Sequence, residues 1–322
     1  MRLPHPLIES QFFQFERLID VERALGDAEP PSEIAEVRRL AELGLPPVAS
    51  ATTLATLLGL NSGLIWSFVN RTKKHYRSFD IPKGRGFRQI NAPRVALKVV
   101  QKWLAIQLAR NYAAPKHVFG FVPGRSHIDA ARIHLGARWV MSADIENFFP
   151  STPRRLVEQA LIGMGFNLAG AEVIAALACF DDGLAQGAPC SPILSNLCFA
   201  PWDRALEVYS DGKGVRLTRY ADDIVVSGTE EYPDGLKEDV VKLLQESPWR
   251  VSRAKCAVVH APTRLKVHGL LVHGDRVRLT KRHRNKIRAY RHLVATKTNL
   301  DARFTEKALG HISYARSVSA ES

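Results

Sequence analysis

The feature that most constrains this chain is a pair of adjacent carboxylates, Asp222-Asp223, set between two short strand-like runs, residues 216–220 and 224–227. Runs rich in Leu, Thr, Tyr, Ile and Val at that length read as β-strands, and the tight connection between them reads as a hairpin. Neighbouring carboxylates at a turn repel each other unless a cation lies between them. Water relieves that repulsion at an exposed turn, but Tyr220 before the pair and Ile224-Val225-Val226 after it place this hairpin largely in the interior. A bound divalent cation is the natural relief.

A third carboxylate, Asp144, follows the apolar stretch Trp139-Val140-Met141 and precedes Phe148-Phe149, so it too stands at the end of a core strand. Hard oxygen ligands from two strand ends suit Mg²⁺, which keeps waters and substrate phosphates in its remaining positions. Two such ions about 4 Å apart activate an attacking hydroxyl and stabilise a leaving pyrophosphate. The pattern points to nucleotidyl transfer.

Charge along the chain supports a polyanionic substrate. The net charge of +13 is unevenly spread: residues 71–138 hold fifteen Lys/Arg against two Asp/Glu, and residues 250–322 hold seventeen against four. The intervening residues 139–249 hold eight against seventeen, and residues 1–70 hold five against nine. Clustered Lys and Arg are the footprint of phosphate-backbone binding, whereas an acidic centre suits metal ions. No apolar run approaches the roughly 20 residues needed to span a bilayer. The first residues lack the apolar centre of a signal peptide, so a cytoplasmic, membrane-free protein is expected. The spacings of Cys179, Cys190, Cys198 and Cys256 match neither a zinc site nor a disulfide framework, and reduced core thiols are expected.

Periodicity predicts helices over 7–25, 32–43, 53–60, 64–69, 95–108, 154–164 and 233–246, with a linker over 27–32. It predicts strands over 77–82 and 87–91, joined by the basic tip Lys83-Gly84-Arg85-Gly86, and over 139–145, 216–220, 224–227, 251–259 and 265–272. A basic helical segment runs from Thr280 onward. Helices inserted between strands indicate an α+β domain with an antiparallel sheet.

An Asp-Asp pair alone is a weak signal; its order among other motifs is a strong one. Ala143-Asp144-Ile145-Glu146-Asn147-Phe148-Phe149-Pro150-Ser151 precedes Gln186-Gly187-Ala188-Pro189-Cys190-Ser191-Pro192-Ile193-Leu194-Ser195-Asn196, which precedes Arg219-Tyr220-Ala221-Asp222-Asp223. These segments resemble the successive polymerase motifs of reverse transcriptases, and in detail those of bacterial retron enzymes. The resemblance runs from about residue 43 to the end. It departs from the retron pattern twice: Ala130-Ala131-Arg132-Ile133-His134 lacks the Asn of Asn-Ala-x-x-His, and Val267-His268-Gly269 replaces Val-Thr-Gly. The departures bear on the retron subgroup and the mode of RNA recognition, and leave polymerase chemistry untouched.

The resemblance implies a right-hand polymerase: a helical N-terminal extension over residues 1–70, basic fingers over 71–138, a palm with the catalytic site over 139–259 and a basic thumb over 260–322. It implies that Asp144, Asp222 and the Ile145 carbonyl hold two Mg²⁺ ions with Asp223 in support. Lys83 and Arg88 would grip the triphosphate, Gln186 and Gly187 would line the nucleotide pocket, Phe149 would exclude a 2′-OH, and Lys255 would stand near the leaving pyrophosphate. Independently of family, Lys281, Arg282, Arg284, Lys286, Arg288 and Arg291 fall on one basic helix expected to bind RNA.

The implied partners are deoxynucleoside triphosphates, an RNA–DNA hybrid product, and a structured noncoding RNA serving as template and primer source. Synthesis would start from a guanosine 2′-OH. The implied product is a small single-stranded DNA joined to RNA, made in an antiphage system with an effector protein. Two alternatives stand beside this reading: a group II intron-type or other bacterial reverse transcriptase, and an inactive RNA-binding scaffold, against which the intact Asp144, Asp222 and Asp223 argue.

Overall fold

The run Trp139-Val140-Met141 lacks apolar–polar alternation because its strand is covered on both faces, and all three residues are buried with Ala143. In the computed structural model, which describes residues 5–26, 29–84, 86–296 and 300–320, this strand is central in a four-stranded sheet.

The chain opens with α1 (His5–Glu9), α2 (Leu18–Leu25), α3 (Pro31–Glu42), α4 (Ala51–Leu58) and α5 (Ser62–Asn70), followed by the hairpin β1 (Tyr76–Lys83) and β2 (Gly86–Pro93). Next come α6 (Val95–Arg110), α7 (His127–Ile133), β3 (Trp139–Asp144), α8 (Arg154–Met164), α9 (Leu168–Ala178), β4 (Cys179–Phe180), β5 (Gly183–Leu184) and α10 (Ser191–Gly212). The remainder is β6 (Arg216–Tyr220), β7 (Asp223–Gly228), α11 (Leu236–Gln245), β8 (Ala257–His260), β9 (Lys266–Val267), β10 (Leu270–Leu271), β11 (Arg278–Leu279), α12 (Lys281–Thr296) and α13 (Ala302–Ala320). Two units form, one from Met1–Ala114 with Glu146–Pro201, the other from Pro115–Ile145 with Trp202–Ser322. No helix among the described residues is long and apolar enough to cross a membrane.

In the first unit, the single helix predicted over 7–25 is broken into α1 and α2. The reason is competition for carbonyls: Trp103 Nε1 donates to the Ser10 carbonyl at 2.8 Å, and Gln107 Nε2 donates to those of Ile8 and Ser10 at 3.0 and 3.1 Å. Side chains of α6 thus end α1 where another helical turn would have continued it. Phe13 bends back with φ 56° and sets its ring edge-on to Trp103. The linker expected over 27–32 gives way to α3 at Pro31, and its residues 27 and 28 lie outside the described residues. α4 starts where Ser50 Oγ accepts from the amides of Thr52 and Thr53 while Thr53 Oγ1 accepts from the Ser50 amide, a reciprocal cap. β1 and β2 pair antiparallel over eight residue pairs; Arg85, at the tip, lies outside the described residues.

In the second unit, the sheet order is β6-β7-β3-β8, antiparallel throughout. Two predicted strands are corrected. Over 251–259, a single bridge at Val251 and a 3₁₀ turn at Arg253–Lys255 precede β8. Over 265–272, the chain turns back at His268-Gly269 to form the hairpin β9–β10, because both residues adopt positive φ, 47° and 81°. Val267, Leu270, Leu279 and Ile287 join Val140 and Val225 of the sheet, and Ile312, Ala315 and Val318 of α13, in one apolar core. His134 ends α7 with Nδ1 2.7 Å from Ser227 Oγ and Nε2 2.7 Å from Thr218 Oγ1. Burial, with His268 and Arg216 adding, pushes this ring down to about 3, so it serves as a neutral strut. The four cysteines are free and buried, and burial pushes the Cys179 thiol up to about 12 and raises the other three.

A fully buried ion pair joins α10 to β6. Arg219 Nε lies 2.7 Å from Asp203 Oδ1 and Nη2 lies 2.5 Å from Oδ2, with both side chains at 0% exposure. Burial pushes the Asp203 carboxyl up, but the Arg219 guanidinium and His117 more than offset that and hold it below the ordinary carboxylate range. A depressed folded value means that this pair contributes stability in full above about pH 4, the ordinary carboxylate value, and loses it as the pH falls from there through the lower folded value. Asp203→Ala, which strips the buried guanidinium of its carboxylate, is expected to cost ~3–5 kcal/mol, whereas Asp203→Leu with Arg219→Met recovers most of it. Equilibrium denaturation of the three proteins checks this.

Candidate active site

The carboxylates converge through strand register. Asp144 ends β3 directly opposite Asp223, which begins β7. Tyr220 and Asp223 are themselves paired across β6 and β7, leaving Ala221-Asp222 as a two-residue connection. Two-residue hairpins demand positive φ at the first connecting position, and Ala221 takes 58° there without the freedom of glycine. Its carbonyl accepts from Arg219 Nη1 at 3.1 Å, so the buried Arg219–Asp203 pair also holds the turn. A segment before α7 supports it from outside: Val118 bridges Arg219, whose carbonyl accepts from the Phe119 amide at 2.9 Å. Gly120 then lies against the turn, where a β-carbon would meet the Ala221 nitrogen at 2.2 Å and the Tyr220 carbonyl carbon at 2.9 Å.

Neighbouring backbone pins the strand end. The Ile145 amide donates to the Asp222 carbonyl at 3.0 Å, and the Ser252 amide donates to the Asp144 carbonyl at 2.8 Å. Burial, and then the Asp144 and Asp223 carboxylates, raise the Asp222 carboxyl above its ordinary value, against the pull of a backbone hydrogen bond and Lys255. The 3₁₀ turn that interrupts 251–259 brings Lys255 Nζ to 2.5 Å from Asp144 Oδ1. An ammonium thus stands in for a cation at a cluster with excess negative charge. Among the described residues, no three His, Cys, Asp or Glu side chains form a ready metal cage. Mg²⁺ takes one or two carboxylates and completes its shell with water and substrate phosphates. The hard-oxygen donor set and the cation-seeking charge fit such an ion.

Apart from Lys255, which belongs to the second unit, the residues expected to bind the nucleotide lie in the first unit. Directly paired residues of an antiparallel hairpin share a face, as do alternate residues along each strand. Lys83, Arg88 and Ile90 therefore share one face of β1–β2. On that face Ile90 meets Gly187, where a β-carbon would lie 2.9 Å from Ile90 Cγ2, and the Gln186 carbonyl accepts from the Asn91 amide at 2.8 Å. The fold thus sets Gln186 and Gly187 against the end of the hairpin face that carries Lys83 and Arg88. Phe149 is half-buried, its ring 5.7 Å from that of the buried Phe148, which in turn packs edge-on to Phe199.

The basic helix of the second unit is α12, and Lys281, Arg282, Arg284, Lys286, Arg288 and Arg291 are all exposed on it, with Ile287 turned inward. Arg284, Arg288 and Arg291 line a groove of about 470 Å³ together with Arg276 and Arg278. Ile287 and Leu279 also line it, so five arginines concentrate positive charge around partly apolar walls. Arg276 and Arg278 were not singled out from sequence, nor were Arg219, Asp203, Gly120 and His268 as site residues. Two of them stood beside a signal: Arg219 opens the third motif, and His268 marks the departure from Val-Thr-Gly.

Residues 81–272 match the sequence profile of the family described as reverse transcriptase (RNA-dependent DNA polymerase). Among curated proteins, the chain is similar to the retron Mx65 reverse transcriptase of Myxococcus xanthus, 29% identical over 288 residues, covering 82% of this chain and 67% of the relative. It is similar to the retron Ec86 reverse transcriptase of Escherichia coli, 26% identical over 265 residues, covering 81% and 83%. The retron Mx162 reverse transcriptase of Myxococcus xanthus is 31% identical over 264 residues, covering 74% of this chain and 52% of the relative. Among solved structures, telomerase from Candida albicans in complex with a telomeric RNA fragment aligns with a TM-score of 0.47 at 10% identity, over 70% of this chain and 51% of that one. The foamy viral protease-reverse transcriptase in complex with an RNA/DNA hybrid aligns with a TM-score of 0.46 at 18% identity, over 75% of this chain and 27% of that one. The chain thus spans about half or less of those two solved proteins.

Gly120→Ala is expected to push the Tyr220-Ala221 backbone aside and lower the rate of the site's reaction roughly a hundredfold or more, since misplacement by about 1 Å has that effect. Gly163→Ala, in α8 with open space around it, is the matched control and leaves the rate unchanged. Single-turnover rates of the two variants check the contrast.

Proposed function

The chain belongs to the reverse transcriptase (RNA-dependent DNA polymerase) family, and on that premise we propose that it copies a structured noncoding RNA into DNA at Asp144, Asp222 and Asp223. The observation that carries this reading is the pairing of Asp144 with Asp223 across β3 and β7, beside an Asp222 carboxyl raised by burial and its acidic neighbours. Bound Mg²⁺ would activate the primer hydroxyl and stabilise the leaving pyrophosphate. Asp144 and Asp222 would hold two ions with the Ile145 carbonyl, and Asp223 would support them. Lys255, which pairs with Asp144, would exchange that carboxylate for the pyrophosphate.

Lys83 and Arg88 would bind the triphosphate from their shared hairpin face, Arg88 through its planar fork. Gln186 and Gly187 would line the nucleotide pocket, where the lack of a side chain at Gly187 permits close approach. The Phe149 ring would collide with a 2′-OH and so favour deoxynucleotides. In this reading residues 1–70 form the extension, 71–138 the fingers, 139–259 the palm and 260–322 the thumb. The groove arginines and the rest of α12 would grip the RNA backbone. Similarity to three retron reverse transcriptases supports a retron reading, and in that reading the product would be a short single-stranded DNA joined to RNA, made beside an effector in antiphage defence.

Asp222→Asn is expected to abolish Mg²⁺-dependent deoxynucleotide incorporation on a primed RNA while leaving RNA affinity largely intact; substantial residual synthesis would overturn the site. Neutralising Arg284, Arg288 and Arg291 together is expected to weaken RNA binding roughly tenfold or more and to flatten its salt dependence by nearly one logarithmic unit per lost phosphate contact. Salt titrations of binding for the wild-type and triple-variant proteins check this, and unchanged slopes would move the recognition surface to the basic block over 71–138.

A further inference from the structure

The turn between β9 and β10 places a histidine against the catalytic carboxylates. His268 Nδ1 lies 2.9 Å from Asp223 Oδ2, and the imidazole is 5% exposed beside a carboxylate that is 36% exposed. We propose that His268 is a positioning residue: its Nδ1–H fixes the Asp223 carboxylate in the orientation needed to support the divalent ions. The inference rests on reading Asp144, Asp222 and Asp223 as the metal-binding carboxylates.

Three observations carry it. The first is backbone conformation. His268 and Gly269 are the two central residues of a two-residue hairpin, both with positive φ, a geometry that glycine and asparagine adopt most readily. A histidine in this sparsely populated conformation is held by its surroundings, and such positions cluster at functional sites.

The second is rigidity. Val267 and Leu270, on either side of the turn, are each 1% exposed and packed in the apolar core of the second unit. The imidazole stands 5.5 Å from the Tyr220 ring, and Tyr220 is set edge-on to His127. The ring therefore has a defined place relative to the catalytic turn, as a supporting group must.

The third is the hydrogen-bond inventory. His268 Nε2 is buried with no hydrogen-bond partner among the described residues. An ionised carboxylate only accepts, so Nδ1 carries the proton, and the bond to Asp223 is the ring's polar contact. A side chain kept only for packing would carry no buried orphan nitrogen; a donor aimed at a metal-site carboxylate explains why one is present. Outer groups of this kind orient ligands and tune the ion they hold. The retron pattern places a threonine here, whose shorter hydroxyl is also a donor, so the position keeps donor chemistry while its reach changes.

The test compares His268→Leu, His268→Asn and His268→Gln in the full chain. Asn can place its amide nitrogen near the site of Nδ1, Gln reaches instead toward that of Nε2, and Leu has no donor. Mn²⁺ binding read by electron paramagnetic resonance is expected to weaken about tenfold or more in the Leu and Gln variants and to stay near wild type in Asn. On a primed RNA template, kcat should fall about 10- to 100-fold in Leu and Gln with KM for the deoxynucleotide changed less than about twofold, and Asn should restore it. RNA affinity and thermal unfolding report whether each variant is folded; if Leu does not fold, the Asn–Gln contrast decides. Wild-type metal affinity and kcat in Leu, or equal defects in folded Asn and Gln, overturn the inference. Should Asp222→Asn remain active, the site reading falls and this inference with it; should it be inactive while His268→Leu is wild type, only the positioning role falls.

Discussion

Everything at the Ala221-Asp222 turn depends on one buried ion pair. Arg219 and Asp203 are removed from water completely, which is costly for both, and their bidentate contact is what makes the burial tolerable. The pair does more than neutralise itself. The same guanidinium holds the Ala221 carbonyl, and the Arg219 backbone accepts from Phe119 and donates to the His117 carbonyl at 2.8 Å. A helix, a strand, an irregular segment and a strained turn thus meet at one residue. Hydrophobic residues of similar volume could fill the space, but they could not fix the direction of a carbonyl beside two acidic side chains.

That direction matters because the turn is under two loads at once. Ala221 sits in a left-handed conformation, and the next two residues carry carboxylates that face a third on β3. A free hairpin would relieve both by flexing. Here the backbone is closed in by Gly120 on one side and by the amide of Ile145 on the other, so the strain is retained and the charge is left for cations to balance. Lys255 supplies one such cation through a salt bridge that is half exposed on the lysine side and therefore easily exchanged.

How much of this was legible in the sequence follows from what each signal measures. The β6–β7 hairpin, β3 and α8 were legible because period and turn chemistry act locally, and the facing of Asp144 and Asp223 follows once those strands pair. The β9–β10 hairpin was not, since His-Gly is a poor turn signature next to Asn-Gly and the apolar residues on both sides read as one strand. The 3₁₀ turn at Arg253–Lys255 was hidden in the same way, although Lys255 itself stood out. Arg219 and Asp203 were invisible as a pair: a buried charge is written with the same letter as a solvated one, and only the fold reveals the partner. The break between α1 and α2 was likewise invisible, because Trp103 and Gln107, which cause it, lie some ninety residues away in the chain.

The cysteines give the molecule a property unrelated to its chemistry. All four thiols are buried and shifted away from the thiolate, the form that reacts with oxidants and alkylating reagents. Cys179, Cys190 and Cys198 belong to one unit and Cys256 to the other. Each thiol is therefore a silent clock that starts only when its own surroundings open, and the rate of labelling at each position reads the local breathing of that unit without any added probe.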